Sequence, residues 1–405
     1  MPIGGEKMRQ TPQIPQITTP RDVYFGRGCI EVLKGLEGKK AFIVIGGSSV
    51  KKSGLLDKVE AYLKEAGLEI YLFEGVENDP SVETVQKGAK AMEDFGPDWI
   101  IPIGGGSPMD AAKTMWLLYE HPDADIYDIN PFNIPQLRKK ARFLAIPTTS
   151  GTGSEVTNAS VICDYATGIK FGVAGAEIIP DVAILDPDAA ETMPPTLRAH
   201  TGLDALSHGL ESFVAKFASP FSEAQALYAT KIVFDALPAA YEGDAGAREG
   251  IHYAQCMAGM AFTSSMLGLC HAMAHKTGGM FDDGHIPHGL ANAIYLPYVI
   301  QYNSKVPAAK AKYASLARYV GVAGGSDDEL VAGLVKKIRE LASSLGTPNS
   351  LKDYGIPEAE WNAKVADIAA NAMTDSLVMS NPRDVDVEAM QKVLQHIYDG
   401  KDVNF

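Results

Sequence analysis

Several common features are scarce or missing in this chain. No two of its four cysteines, Cys29, Cys163, Cys256 and Cys270, stand in a CxxC spacing. Neither a redox pair nor a cysteine-based zinc site is suggested, and reduced, mostly buried thiols are expected. No stretch approaches the roughly 20 apolar residues that cross a bilayer. Met1–Pro20 has no apolar run and no small-residue cleavage signature, so it does not read as a signal peptide, and a cytoplasmic location is expected. Basic residues are outnumbered, 36 Lys and Arg against 50 Asp and Glu, giving a net charge of -14. A surface this acidic repels phosphate backbones and anionic lipid headgroups, so neither nucleic acid nor membrane is an expected partner.

What is present suffices for two domains and a large core in 405 residues. Short apolar runs read as buried strands at Ala41–Ile45, Ile70–Phe73, Trp99–Ile103, Phe143–Ile146 and Val182–Leu185. Between them, Leu55, Val59, Tyr62 and Leu63 mark one helical face, and Val85, Ala89 and Met92 another. Strand alternating with helix predicts a parallel sheet covered on both faces. Beyond Met193 strand-like runs nearly vanish. Helical segments follow at Thr196–Val214, Ser222–Leu237, Pro307–Val320, Glu329–Leu345 and Val387–Tyr398. The expected organisation is a Pro-, Thr- and Gln-rich arm over 1–20, an α/β domain over 21–194 and an all-helical domain over 195–405.

Three turns follow predicted strands. The run Gly104-Gly105-Gly106-Ser107-Pro108-Met109-Asp110 opens a helix, with Pro108 suited to its first turn. Glycines allow close backbone approach and a helix N-terminus offers N–H groups to phosphate, although a tight, closely packed turn explains the same residues equally well. The run is neither a GxGxxG fingerprint nor a Walker A loop. Thr148-Thr149-Ser150-Gly151-Thr152-Gly153-Ser154-Glu155 is a second such turn. Two hydroxyl-rich turns at the carboxyl edge of a parallel sheet favour a dinucleotide. After the first strand come Gly46, Gly47, Ser48 and Ser49, then Lys51 and Lys52. No acidic residue stands there to bond a ribose 2′-hydroxyl, so NADP(H) is preferred over NAD(H); the lysines also suit a solvated helix start.

The histidines are unevenly spread. His271, His275, His285 and His288 fall close together, and Asp204 and His208 stand four apart upstream in a helical segment. An i, i+4 spacing places two side chains on one helix face. Isolated histidines such as His252 and His396 read as satisfied core residues. The carboxylate and clustered imidazoles suit Fe2+ or Zn2+ better than Mg2+ or Ca2+.

These residues together resemble the iron-containing (group III) alcohol dehydrogenases, over nearly the whole length from about residue 22. The carriers are GGGSxxDxAK (Gly104–Lys113), PTTSGTGSEVT (Pro147–Thr157), DALSH (Asp204–His208), HAMAH (His271–His275), Pro287-His288-Gly289 and Asn381-Pro382-Arg383. The resemblance implies a Rossmann-like N-terminal domain, a helical C-terminal domain and a cleft between them, as in the architecture shared with dehydroquinate synthase. It implies Asp204, His208, His271 and His288 as metal ligands, and His275 beside the metal as a catalytic proton relay. It implies cofactor contacts at Gly46, Gly47, Ser48, Gly104, Gly105, Gly106, Ser107, Asp110, Thr148, Thr149 and Thr152, with Asp110 also counted as catalytic. Lys170, in the turn Thr167-Gly168-Ile169-Lys170, falls where the family has a cofactor-contacting lysine. The stretch after His275 is longer than the family pattern and carries Asp282, Asp283 and His285; His285 rivals His288 as last ligand, and the Pro-His-Gly context favours His288.

The expected function is hydride transfer between NAD(P)(H) and a small alcohol or aldehyde, with Fe2+ or Zn2+ polarising the substrate oxygen. A homodimer or higher homo-oligomer is expected from the resemblance. Two rivals are a metal- and nicotinamide-dependent synthase or lyase of the dehydroquinate synthase type and a non-catalytic metal- or nucleotide-binding protein.

Overall fold

The computed structural model describes residues 16–129, 134–166, 169–278, 280–281 and 286–405. Most of the arm at 1–20 and the residues Asp282, Asp283 and His285 therefore lie outside the described residues, and so do Thr167 and Gly168. Contacts divide the chain into two units. One runs to Thr149 and from Ser154 to Thr192; the other is Ser150–Gly153 with Met193–Phe405.

The first unit is built on a six-stranded sheet of order β1-β8-β5-β4-β2-β3, parallel throughout. Its strands are β1 (Asp22–Phe25), β2 (Lys40–Ile45), β3 (Glu69–Phe73), β4 (Trp99–Gly104), β5 (Arg142–Pro147) and β8 (Val182–Leu185). The apolar runs read from sequence form five of these. β1 was not anticipated, because an edge strand with no fully buried residue leaves no continuous apolar run. A separate antiparallel hairpin, β6 (Ala159–Asp164) with β7 (Ile169–Ala174), was also not anticipated. Lys170 thus sits in a strand opposite Cys163, not in a turn.

β2 and β4 are neighbours although β3 intervenes in sequence. The chain winds from β2 to one edge, then returns to the other side of β2. Such a reversal leaves a crevice at the carboxyl ends of the two strands, where α/β sheets bind ligands. Helices Leu55–Glu65, Val82–Phe95 and Gly106–Glu120 provide the crossovers. The last is buried along nearly its whole length, from Pro108 to Glu120 apart from Asp110, so its start is held firmly at the end of β4.

The second unit is helical and shares one apolar core. Its helices include Pro195–Val214, Pro220–Glu242, Ala245–Ser265, Leu269–Thr277 and His288–Asn303. From Gly202 to Val214 every residue of the first is buried. Small residues permit this: a Cβ on Gly202 would meet Leu237 at 2.3 Å, and one on Gly209 would meet Thr230 Oγ1 at 2.4 Å. Among the described residues no single helix is long and apolar enough to cross a membrane.

Candidate metal centre and cofactor turns

Asp204, His208 and Glu211 stand at i, i+4 and i+7 of the Pro195–Val214 helix and so share a face. Opposite them lies the short helix Leu269–Thr277, which brings His271 and His275 to the same place. The third contributor is the N-terminus of His288–Asn303. A Cβ at Gly289 would lie 2.4 Å from the His200 carbonyl, so the glycine of the Pro-His-Gly run lets this helix end approach the Asp204 helix.

The four side chains gather around one carboxylate. Asp204 Oδ2 is 3.9 Å from His208 Nε2, and its Oδ1 is 3.6 Å from His271 Nε2 and 3.7 Å from His288 Nε2. Potential ligand atoms of Asp204, His208 and His271 all lie within 4.8 Å of one another. These three are buried, whereas the His288 side chain is 41% exposed, so His288 stands on the open side. The His275 ring stacks on His288 at 5.2 Å. Phe262 lies against His208 at 4.6 Å. Asn292 donates to Asp204 Oδ1 at 2.8 Å and holds His288 Nε2 at 3.0 Å.

The donor set fits a divalent cation on a direct observation. His271 Nε2 is buried beside Asp204 and makes no hydrogen bond. Burial opposes charge on Asp204, but His208, His288 and His271 outweigh it and hold the carboxyl well below the usual range. Burial pushes His208 down to about 4, keeping its imidazole neutral and able to act as a ligand. For His271, burial lowers the value, but the neighbouring Asp204 and Glu211 carboxylates reverse this and raise it to about 9. Two carboxylates flank this ring, and the place between them favours positive charge.

Beside the cluster, His275 Nδ1 is 2.8 Å from Asp375 Oδ2, a partner 100 residues away. Burial works against the Asp375 carboxylate, yet the His275 contact holds it below its ordinary value. Neither Glu211, Asn292 nor Asp375 was singled out from sequence. Glu211 left one usable signal, a carboxylate in phase with Asp204 and His208 on an apolar helix; Asp375 left none.

In the first unit, the turns after β2, β4 and β5 come from three adjacent strands and share the carboxyl edge. Gly46 packs on the Val76 carbonyl and Pro108, and Gly104 on Pro108. Gly105 precedes the Gly106–Glu120 helix, whose start has no side-chain cap and no acidic residue in its first turn. Such an end leaves N–H groups for an anion. Gly106 and Ser107 form that first turn. Gly47 and Ser48 are exposed, and a Cβ on Gly47 would touch nothing within 4 Å. Thr148 N donates to the Gly104 carbonyl at 2.9 Å, and Thr149 packs on Gly105.

Three placements differ from expectation. Asp110 accepts from Ser154 Oγ at 2.9 Å and from Val161 N at 3.1 Å, so both its carboxylate oxygens anchor the chain after β5. The fully buried Lys113 ammonium reinforces that anchor, donating to Ser154 Oγ, Thr157 and Ala159. Ser150–Gly153, including Thr152, belongs to the helical unit and not to the α/β unit. Gly153 N donates to Gln255 Oε1 at 2.6 Å, and Ser150 Oγ pairs with His252 Nδ1 at 3.0 Å. Lys170 pairs with Asp79 at 2.6 Å.

Comparison with known proteins agrees with the motifs. Residues 20–187 match the iron-containing alcohol dehydrogenase family and residues 198–398 the C-terminal part of the Fe-containing alcohol dehydrogenase family. The chain is 53% identical over 391 residues to an NADPH-dependent butanol dehydrogenase of Clostridium saccharobutylicum, covering 96% of this chain and 100% of that protein. It is 41% identical to aldehyde-alcohol dehydrogenase 2 of Entamoeba histolytica, with 94% of this chain matched, but spans 46% of that longer protein. An iron-containing alcohol dehydrogenase of Thermococcus thioreducens superimposes with a TM-score of 0.88 at 37% identity, covering 96% of this chain and 100% of that one. The chain therefore belongs to the iron-containing alcohol dehydrogenase family.

Proposed function

We propose that this alcohol dehydrogenase interconverts short primary alcohols and aldehydes with NADP(H), using Fe2+ held by Asp204, His208, His271 and His288. The observation that carries the reading is the convergence of three buried ligand atoms, with His288 Nε2 at 3.7 Å from the same carboxylate. A cation bound there supplies Lewis acidity toward the substrate oxygen, and zinc suits the same donors. The nicotinamide supplies or accepts the hydride.

The chain's own residues do the rest. Asp204, kept ionised by its neighbours, sets the negative charge that the cation needs. His288 and His275, the more exposed members, flank the side from which substrate arrives. With Nδ1 held by Asp375, His275 keeps Nε2 to pass a proton between the alcohol oxygen and solvent. Gly46, Gly47 and Ser48, with Gly104–Ser107, Thr148 and Thr149, form the dinucleotide cradle; the uncapped helix start suits the pyrophosphate. The lack of an acidic residue after β2 favours the 2′-phosphate form. It matches the cofactor named for the Clostridium relative. The α/β unit is thus the dinucleotide domain and 195–405 the metal and substrate domain. A cytoplasmic, homo-oligomeric enzyme completes the reading; four free cysteines, three of them buried, suit a reducing compartment.

The test is a panel of short aldehydes with NADPH and NADH in parallel, with iron and zinc measured on the same protein. His271→Ala should lose metal and turnover together. Full turnover by metal-free His271→Ala would overturn the assignment.

A further inference from the structure

Glu211 is an enclosed carboxylate, 3% exposed, with no lysine or arginine among the described residues within hydrogen-bond reach. All three of its donors come from the first turn of the Leu269–Thr277 helix. Oε1 accepts Cys270 N–H at 2.7 Å; Oε2 accepts His271 N–H at 3.3 Å and His271 Nδ1 at 2.5 Å. The backbone pair engages both oxygens, and the helix N-terminus favours negative charge at that spot. Asn381 finishes the cap by accepting Leu269 N–H at 3.3 Å, which gives the Asn-Pro-Arg run a structural purpose. A Cβ on Gly268 would come within 3.0 Å of Glu211 Oε1 and 2.9 Å of Asn381 Oδ1, so the helix entry is shaped around the two caps.

An ionised carboxylate only accepts. His271 Nδ1 faces Glu211 Oε2, so Nδ1–H is the donor of that contact, and Nε2 is the ring atom turned toward Asp204 Oδ1, 3.6 Å away and without a hydrogen-bond partner. We infer that Glu211 is a positioning residue of the metal centre: by clamping His271 as the Nδ1–H tautomer it presents Nε2 to the cation and sets how tightly the cation is held. This rests on the reading that Asp204, His208, His271 and His288 are the ligands. Outer carboxylates of this kind typically change metal affinity by about 10- to 100-fold.

Glu211→Gln keeps the size but turns one oxygen into a donor. Its amide cannot accept from both the helix N–H groups and His271 Nδ1–H. The ring relieves this by moving its proton to Nε2, the atom needed for the metal. The Fe2+-loaded enzyme is challenged with a graded series of a strong chelator, and iron retained is read directly. Glu211→Gln should release its iron at a chelator concentration roughly 10- to 100-fold lower than the parent, with an unchanged far-UV spectrum. His271→Ala is run beside it. If His271→Ala keeps iron as the parent does, the metal-centre reading itself falls. If His271→Ala loses iron while folded Glu211→Gln holds it like the parent, the inference about Glu211 alone falls. A second measurement does not depend on the variant folding. In the Zn2+-loaded parent with 15N-labelled histidine, His271 should show a downfield proton coupled to Nδ1. A spectrum placing that proton on Nε2 overturns the inference.

Discussion

Two glycine-rich turns at neighbouring strand ends look alike in sequence and differ in the fold. After β4, Gly104 and Gly105 press on Pro108 and Thr149 of their own unit, and nearby Gly47 faces open space. After β5, Gly151 and Gly153 are already occupied by protein. A Cβ on Gly151 would lie 2.5 Å from Thr201 Cβ, and one on Gly153 would lie 2.8 Å from Gly259 Cα. Gly104 and Gly105 pack their own unit and Gly47 faces open space, whereas Gly151 and Gly153 let helices close in. Glycine in a turn announces a close approach, and packing decides what approaches.

The sharpest way to break this comparison is Gly153→Ala. Its φ is +64°, and the clash is with backbone that cannot step aside. A loss of roughly 3 kcal/mol or more in urea unfolding is expected. A loss below about 0.5 kcal/mol would place Gly153 in the same class as Gly47.

His252 supports the same turn through Ser150 and offers a pH handle. Burial pushes it down to about 4 from an ordinary 6.5. Between those values the unfolded chain binds a proton that the folded chain does not, so stability falls as pH drops from 6.5 toward 4. The expected loss is up to about 3 kcal/mol. His252→Gln should flatten that slope in urea midpoints taken at pH 7 and 4.5. An unchanged slope assigns the acid limb elsewhere.

On the open side of the comparison, Ser48→Asp should cut the preference for NADPH over NADH in kcat/KM by about tenfold or more, through repulsion of the 2′-phosphate. Equal effects on both cofactors would move the 2′-phosphate away from the end of β2. The smallest expected change is the stability of Gly47→Ala, within about 0.5 kcal/mol of the parent, alongside weaker NADPH binding by fluorescence titration. Intact binding would remove Gly47 from the cradle.

Much of the fold was legible because local periodicity and burial coincide. Five strands of the parallel sheet are continuous apolar runs, and the helical half shows itself by period and punctuation. β1 stayed hidden because an edge strand needs no continuous apolar face, and the β6–β7 hairpin because its pattern is mixed. The i, i+4 pairs Asp204/His208 and His271/His275 could be read directly, since a helix fixes their common face.

The sequence by itself determined which carboxylate and imidazole side chains share a helix face and which strand-end turns carry glycines and hydroxyls, because both follow from residue type and short-range spacing. Only the tertiary structure decided that Glu211 holds His271, that Asp375 holds His275, that Asp110 anchors the chain after β5 and that Ser150–Gly153 packs with the helices. Those contacts join residues about 40 to 100 positions apart, and the exact three-dimensional packing of helices and strands, not any local pattern, sets which of them meet.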